Sequence, residues 1–152
     1  MISEPNRIEK DAIRLPQADD GRLRILYLYQ MLEKDSDENH MLSTPTILRR
    51  MEEEHGITMH RTTLPKDLDL LREAGIETAS ERRRALCYYL VSRPLSMQDL
   101  WLLIRAVQSA DWMPIRRKRY LITKLLNLTS KGIADKLKQM MKYAYHQKRQ
   151  ST

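Results

Sequence analysis

A change of hydrophobic period close to residue 76 constrains this chain more than any other feature. Before it, apolar residues recur at helical spacing: Ile47, Leu48 and Met51 in one segment, then Leu64, Leu68 and Leu71 in the next. After it, Ile76–Thr78 and Ala85–Val91 read as strands, the second with Leu86, Tyr88 and Leu90 on one face. An earlier helix, beginning near Gly21 with Asp20 as N-cap, carries Leu23, Ile25, Leu26, Leu28, Tyr29 and Leu32. Its apolar groups run around much of its girth, which predicts a central position.

Local signals place the boundaries. In Ser43-Thr44-Pro45, Thr44 is expected to cap the second helix, with Pro45 at the first helical position, where a missing N–H is harmless. Gly56 and Gly75 suit helix stops, and Ile57-Thr58-Met59 is expected to supply a short first strand. Three helices followed by a β-hairpin is the order of a winged helix-turn-helix. After Pro94 helical spacing returns. Ser96 and Asp99 form a capping-box pattern ahead of Leu100, Leu103, Ile104 and Val107. Pro114 opens a further helix with Leu121, Ile122, Leu125 and Leu126, and Ser130 caps a last one with Ile133, Leu137, Met140, Met141 and Ala144. The expected fold is mainly α with a small β wing. A flexible arm covers residues 1–20, the winged unit 21–93, and a helical extension 94–152.

Composition narrows the function. The 152 residues suffice for one compact domain with an appendage. The four glycines form no run, which argues against a phosphate-cradling loop. The single cysteine, Cys87, excludes an internal disulfide framework and fits a reducing, cytoplasmic compartment. Lying in an apolar strand, it reads as a small core residue rather than a nucleophile. No apolar run approaches the roughly 18 residues of a membrane span, and no signal peptide is expected. Charge is unevenly placed: residues 112–152 carry eleven Lys/Arg against Asp135 alone, a net of +10, while the first 111 residues are net −3. Basic groups nearer the N-terminus therefore matter only where the fold gathers them.

No catalytic constellation is visible. His40, His55, His60 and His146 lack metal-ligand spacing with one another or with Cys87, and no cofactor is implied. Asp67, Asp69 and Glu52 to Glu54 sit at spacings expected of solvated helix faces. Three clusters instead suit duplex DNA. At the front of the third helix, His60, Arg61, Thr62, Thr63 and Lys66 can enter a major groove, where Arg61 can form a bidentate pair with guanine or phosphate. Arg82, Arg83 and Arg84 mark a hairpin tip suited to backbone or minor groove. Thr44, Thr46, Arg49 and Arg50 on the second helix can hold a phosphate at its N-terminus. The apolar stripes after residue 95 exceed what the small winged unit covers, so a homodimer through residues 96–145 is expected. The basic groups from Arg116 to Arg119 either extend a DNA contact or coat these helices, and coating is the favoured expectation.

The segment Arg61-Thr62-Thr63-Leu64-Pro65-Lys66-Asp67-Leu68-Asp69-Leu70-Leu71-Arg72-Glu73-Ala74-Gly75 resembles the recognition segment of bacterial WYL-domain transcriptional regulators, whose winged helix is of the DeoR type. Tyr88-Tyr89-Leu90 with Arg93 is similar to the end of that family's wing, and Gln98 to Val107 and Leu121 to Leu126 to its linker helices. The likeness covers residues 22–130 and implies a non-catalytic regulator that reads specific DNA sequences. Pro65 stands where the family usually has tyrosine. A helix start at Thr62 or Thr63 puts that proline in the tolerant first turn and leaves Arg61 on the preceding loop. The chain ends before a C-terminal WYL sensor, as a fragment or a short relative would, and its operator and any small-molecule effector are not legible.

Overall fold

The computed structural model describes residues 17–150. Most of the expected arm lies outside them, but residues 17–20 form the first turn of a helix, so the chain becomes helical earlier than Gly21. Helix α1 (Gln17–Asp35) is followed by β1 (Leu42–Ser43), α2 (Thr44–His55), α3 (Thr63–Glu73), β2 (Thr78–Arg82) and β3 (Leu86–Leu90). Helices α4 (Met97–Ser109), α5 (Ile115–Leu126) and α6 (Lys131–Gln150) complete a mainly helical fold. The three strands form one antiparallel sheet in the order β1-β3-β2.

The first strand is not where Ile57-Thr58-Met59 predicts it. That segment is irregular, and β3 pairs instead with Leu42 and Ser43, opposite Tyr88 and Cys87. Met59 is nevertheless buried, anchoring the α2–α3 connection by packing rather than by a ladder. The cap of α2 also moves by one residue: the Ser43 hydroxyl accepts from the Thr46 amide, while Thr44, already helical, donates its hydroxyl to the Leu86 carbonyl. Gly56 ends α2 with φ 66, the left-handed conformation that suits glycine best.

The core divides in two. Leu28 and Leu32 from α1, Ile47 and Met51 from α2, Leu64, Leu68 and Leu71 from α3, and Tyr88 and Leu90 from β3 bury one cluster. Helix α1 buries Leu28 and Leu32 fully, while Leu26, counted among its apolar groups, is exposed. Leu100, Ile104, Leu126, Ala134 and Leu137 bury a second cluster shared by α4, α5 and α6. Cys87 is buried in β3.

Polar contacts join the two clusters at the start of α6. The Ser130 hydroxyl accepts from the Ile133 amide and donates to Asp37 Oδ2 at 2.6 Å. Asp37 also accepts from the Asn39 and His40 amides and contacts the His40 ring, while Lys131 pairs with Asp35. Burial pushes both carboxyls up. The Lys131 and Arg50 bonds at Asp35, and those of Ser130, His40 and the Asn39 amide at Asp37, outweigh it and hold each below its ordinary range. Gly132 makes the close approach possible, because a Cβ there would collide with the His40 ring and lie 2.7 Å from Asp37 Oδ2. Arg93 seals the same end of α1 by donating to the Glu33 and Ser36 carbonyls, and its burial lowers its pKa from the ordinary value.

Candidate nucleic-acid interface

Leu64, Leu68 and Leu71 set the orientation of α3 by facing the core, which turns Lys66 and Asp69 outward. A tight turn precedes the helix, with the Thr63 amide donating to the His60 carbonyl at 3.0 Å. Thr62 stands at the N-cap without a side-chain capping bond, so its hydroxyl is not committed to the helix. Pro65 falls in the first helical turn, and Arg61 sits in the preceding turn. His60, Arg61, Thr62 and Lys66 are exposed together, Thr63 is half-buried, and the first turn holds no acid.

Asp67 does not lie on a solvated face. Its side chain is 2% exposed and accepts from Arg24 Nε at 2.6 Å and Nη2 at 2.9 Å, which ties the second turn of α3 to α1. That bonding raises the pKa of Arg24 despite the opposing effect of burial. Asp69 is exposed and paired with Arg72, as the solvated-face reading expects. The Arg24–Asp67 pair spans 43 residues, so no local spacing could have revealed it.

The hairpin redistributes its arginines. Arg82 belongs to β2, paired in register with Leu86, and only Arg83 and Arg84 with Ala85 form the turn. All three arginines are exposed, with Arg83 Nε 3.2 Å from Glu81.

On α2 the expected cluster splits. Arg50 is largely buried between Asp35 and Glu54, and these bonds raise its pKa, so it belongs to the α1–α2 contact. Thr44 is buried against β3. Thr46 is half-buried on Ser43, and Arg49 pairs with Glu53 at the surface. The interface with outward donors is therefore the front of α3 and the β2–β3 turn.

Among the described residues no group of three His, Cys, Asp or Glu side chains is placed to hold a metal ion. No helix among them is long and apolar enough to cross a membrane. A cleft of about 760 Å³ between the two clusters is lined by Asp37, His40, Arg93, Asp135 and Lys136, a lining of mixed sign. Compared with family models, curated proteins and solved structures, the chain matches none.

Proposed function

We propose that this chain is a winged helix-turn-helix protein that reads duplex DNA sequence-specifically, as a non-catalytic cytoplasmic transcriptional regulator. The exposed front of α3 carries the reading: Lys66 on the helix, Thr62 at its N-cap and Arg61 in the turn before it are exposed together, beside a helix fixed by three buried leucines and the Arg24–Asp67 pair. Discrimination between bases needs donors held in register, and the buried leucines and the Arg24–Asp67 pair hold α3 in place for this. The order α1-β1-α2-α3-β2-β3 and the sheet order β1-β3-β2 support the winged assignment, as does the resemblance to WYL-type regulators.

Arg61→Ala should weaken binding to the preferred duplex by about 1–3 kcal/mol and relax the preference. Replacing Arg82, Arg83 and Arg84 with alanine should weaken preferred and scrambled duplexes by similar factors. Binding curves of both variants on both duplexes test the assignment, and it fails if only the hairpin variant loses discrimination.

One observation favours a second reading. Residues 21–93 hold twelve basic and twelve acidic groups, a neutral surface suited to a protein-interaction module that has lost DNA contact. Such a module would show little affinity for duplex DNA at low or high salt.

We further infer a homodimer through residues 96–145. Leu102 lies exposed on α4, on the side away from buried Leu100 and Ile104, and Leu103 is exposed at the edge of their face. Sedimentation of the full chain and of Leu102→Glu/Leu103→Glu tests this, and a monomeric full chain at micromolar concentration overturns it.

A further inference from the structure

We infer that α5 is a second DNA-binding surface, which grips the phosphate backbone outside the segment met by α3. The inference rests on the DNA-reading function proposed above.

It starts from a mismatch of charge. Residues 21–93 are neutral, so they supply no net attraction to a polyanion. Helix α5 carries Arg116, Arg117, Lys118, Arg119 and Lys124 and no acid in its 12 residues. Lys118 is structural: its ammonium donates to the Gln108 carbonyl at 2.9 Å and secures the end of α4. The other four are exposed, and none pairs with an acid among the described residues. Surface cations on the other helices are often neutralised locally, as Arg49 is by Glu53 and Arg72 by Asp69.

Helical geometry gathers three of these four: Ile122, Leu125 and Leu126 turn toward the second core cluster, so Arg116, Arg117 and Lys124 fall on the outward arc, with Arg119 exposed at its flank. Tyr120 sits in the same arc, half exposed, with the Arg117 guanidinium 5.3 Å and the Lys124 ammonium 5.2 Å from its ring centroid. Cation–π attraction restrains both side chains, which lessens the entropy lost when they meet phosphate. From Arg116 to Lys124 the helix rises about 12 Å at 1.5 Å per residue. A single DNA strand presents one phosphate per about 3.4 Å of axis, so this span faces three or four. Arginine, three of the four, is the side chain whose fork fits phosphate in two places.

A lipid surface is the less suitable partner. A helix lying in a membrane interface turns its apolar side outward, whereas α5 turns that side into the protein. Exposed Trp112 and Ile115 lie at its N-terminal edge rather than along the arc.

The test uses the full chain with Arg116, Arg117, Arg119 and Lys124 all replaced by glutamine. Its affinity is measured across salt on duplexes of about 40 and about 12 base pairs, the shorter little more than one helical turn. On the long duplex the slope of log affinity against log salt should flatten by about two to four, since each lost phosphate contact removes about 0.9. On the short duplex the variant and the parent should have similar slopes. Lys136→Gln/Lys142→Gln on α6 controls for net charge and should flatten the slope far less per charge removed. An unchanged slope on the long duplex overturns the inference, and so does an α6 control equal to the α5 variant per charge. Loss of binding to vesicles of about 30% phosphatidylserine with DNA binding intact would assign α5 to lipid instead. If the parent binds DNA with a preference that depends on Arg61 and the α5 variant changes nothing, only this inference falls. If the parent binds neither duplex, the DNA-reading function itself falls.

Discussion

The Arg24–Asp67 pair should respond very differently according to which partner is removed. Arg24→Met leaves a carboxylate that is 2% exposed with both of its bonds gone, whereas Asp67→Asn leaves a guanidinium that is 23% exposed and can turn to water. Stranding a buried charge costs about 3–5 kcal/mol, so Arg24→Met should fall in that range. Weakening one charge-assisted bond while its donor keeps some solvent costs about 1–3 kcal/mol, the range expected for Asp67→Asn. The double variant Arg24→Met/Asp67→Leu removes both charges together and should lie within about 2 kcal/mol of the parent, because apolar replacement of a buried pair is often neutral. Urea unfolding of the full chain reads these differences. At a slope of about 1–3 kcal/mol per molar, Arg24→Met should lower the midpoint by at least 1 M. Asp69→Asn, at an exposed ion pair two residues away, should stay within about 0.5 kcal/mol. The reasoning is refuted if Asp67→Asn is as damaging as Arg24→Met, or if the double variant is as unstable as the two singles added.

Two further outcomes concern the contacts at the start of α6. Asp35 and Asp37 have folded pKa values below their unfolded ones, so the stability they contribute is complete above the ordinary carboxylate value of about 4 and is lost as pH falls through the lower folded values. Asp37→Asn should therefore lose less stability than the parent below pH about 4, and circular dichroism along an acid titration should show a shallower fall. Gly132→Ala should destabilise despite a gain of up to about 1 kcal/mol in helix propensity, because the added methyl must displace His40 and Asp37 at about 1–3 kcal/mol. Thermal unfolding decides between the two terms, and a rise in midpoint would show that the side chains yield freely.

Much of the fold was legible because its signals are local. Leu64, Leu68 and Leu71 announce α3, Gly56 ends α2, and Ser96 with Asp99 makes the capping box that opens α4. The failures come from distance. A two-residue strand such as Leu42–Ser43 has no period to detect, and only its partner β3 makes it a strand. Local spacing puts Asp67 on a solvated face because Arg24 is remote in sequence, and makes Arg50 an outward cation because its partner Asp35 belongs to the preceding helix. Composition puts the hairpin arginines in one loop because a polar edge strand has the composition of a loop. Within the candidate interface, Lys66 is legible from the leucine stripe alone, since the residues that bury a helix also dictate which of its neighbours face out, while Arg61 and Thr62 are legible from the helix start that Pro65 requires.

Helix α6 begins at Ser130, clasped by Asp37, and then runs for 20 residues. At 1.5 Å per residue its far end lies about 30 Å from that clasp. Ile133, Ala134, Leu137, Met140 and Met141 hold its first half on the second cluster, so only the turns beyond Met141 overhang: a tilt of about 10° there would sweep the far end, about 14 Å further on, through about 2 Å. The packed half of α6 thus aims the turns that follow, and a small shift of the second cluster is carried outward along them.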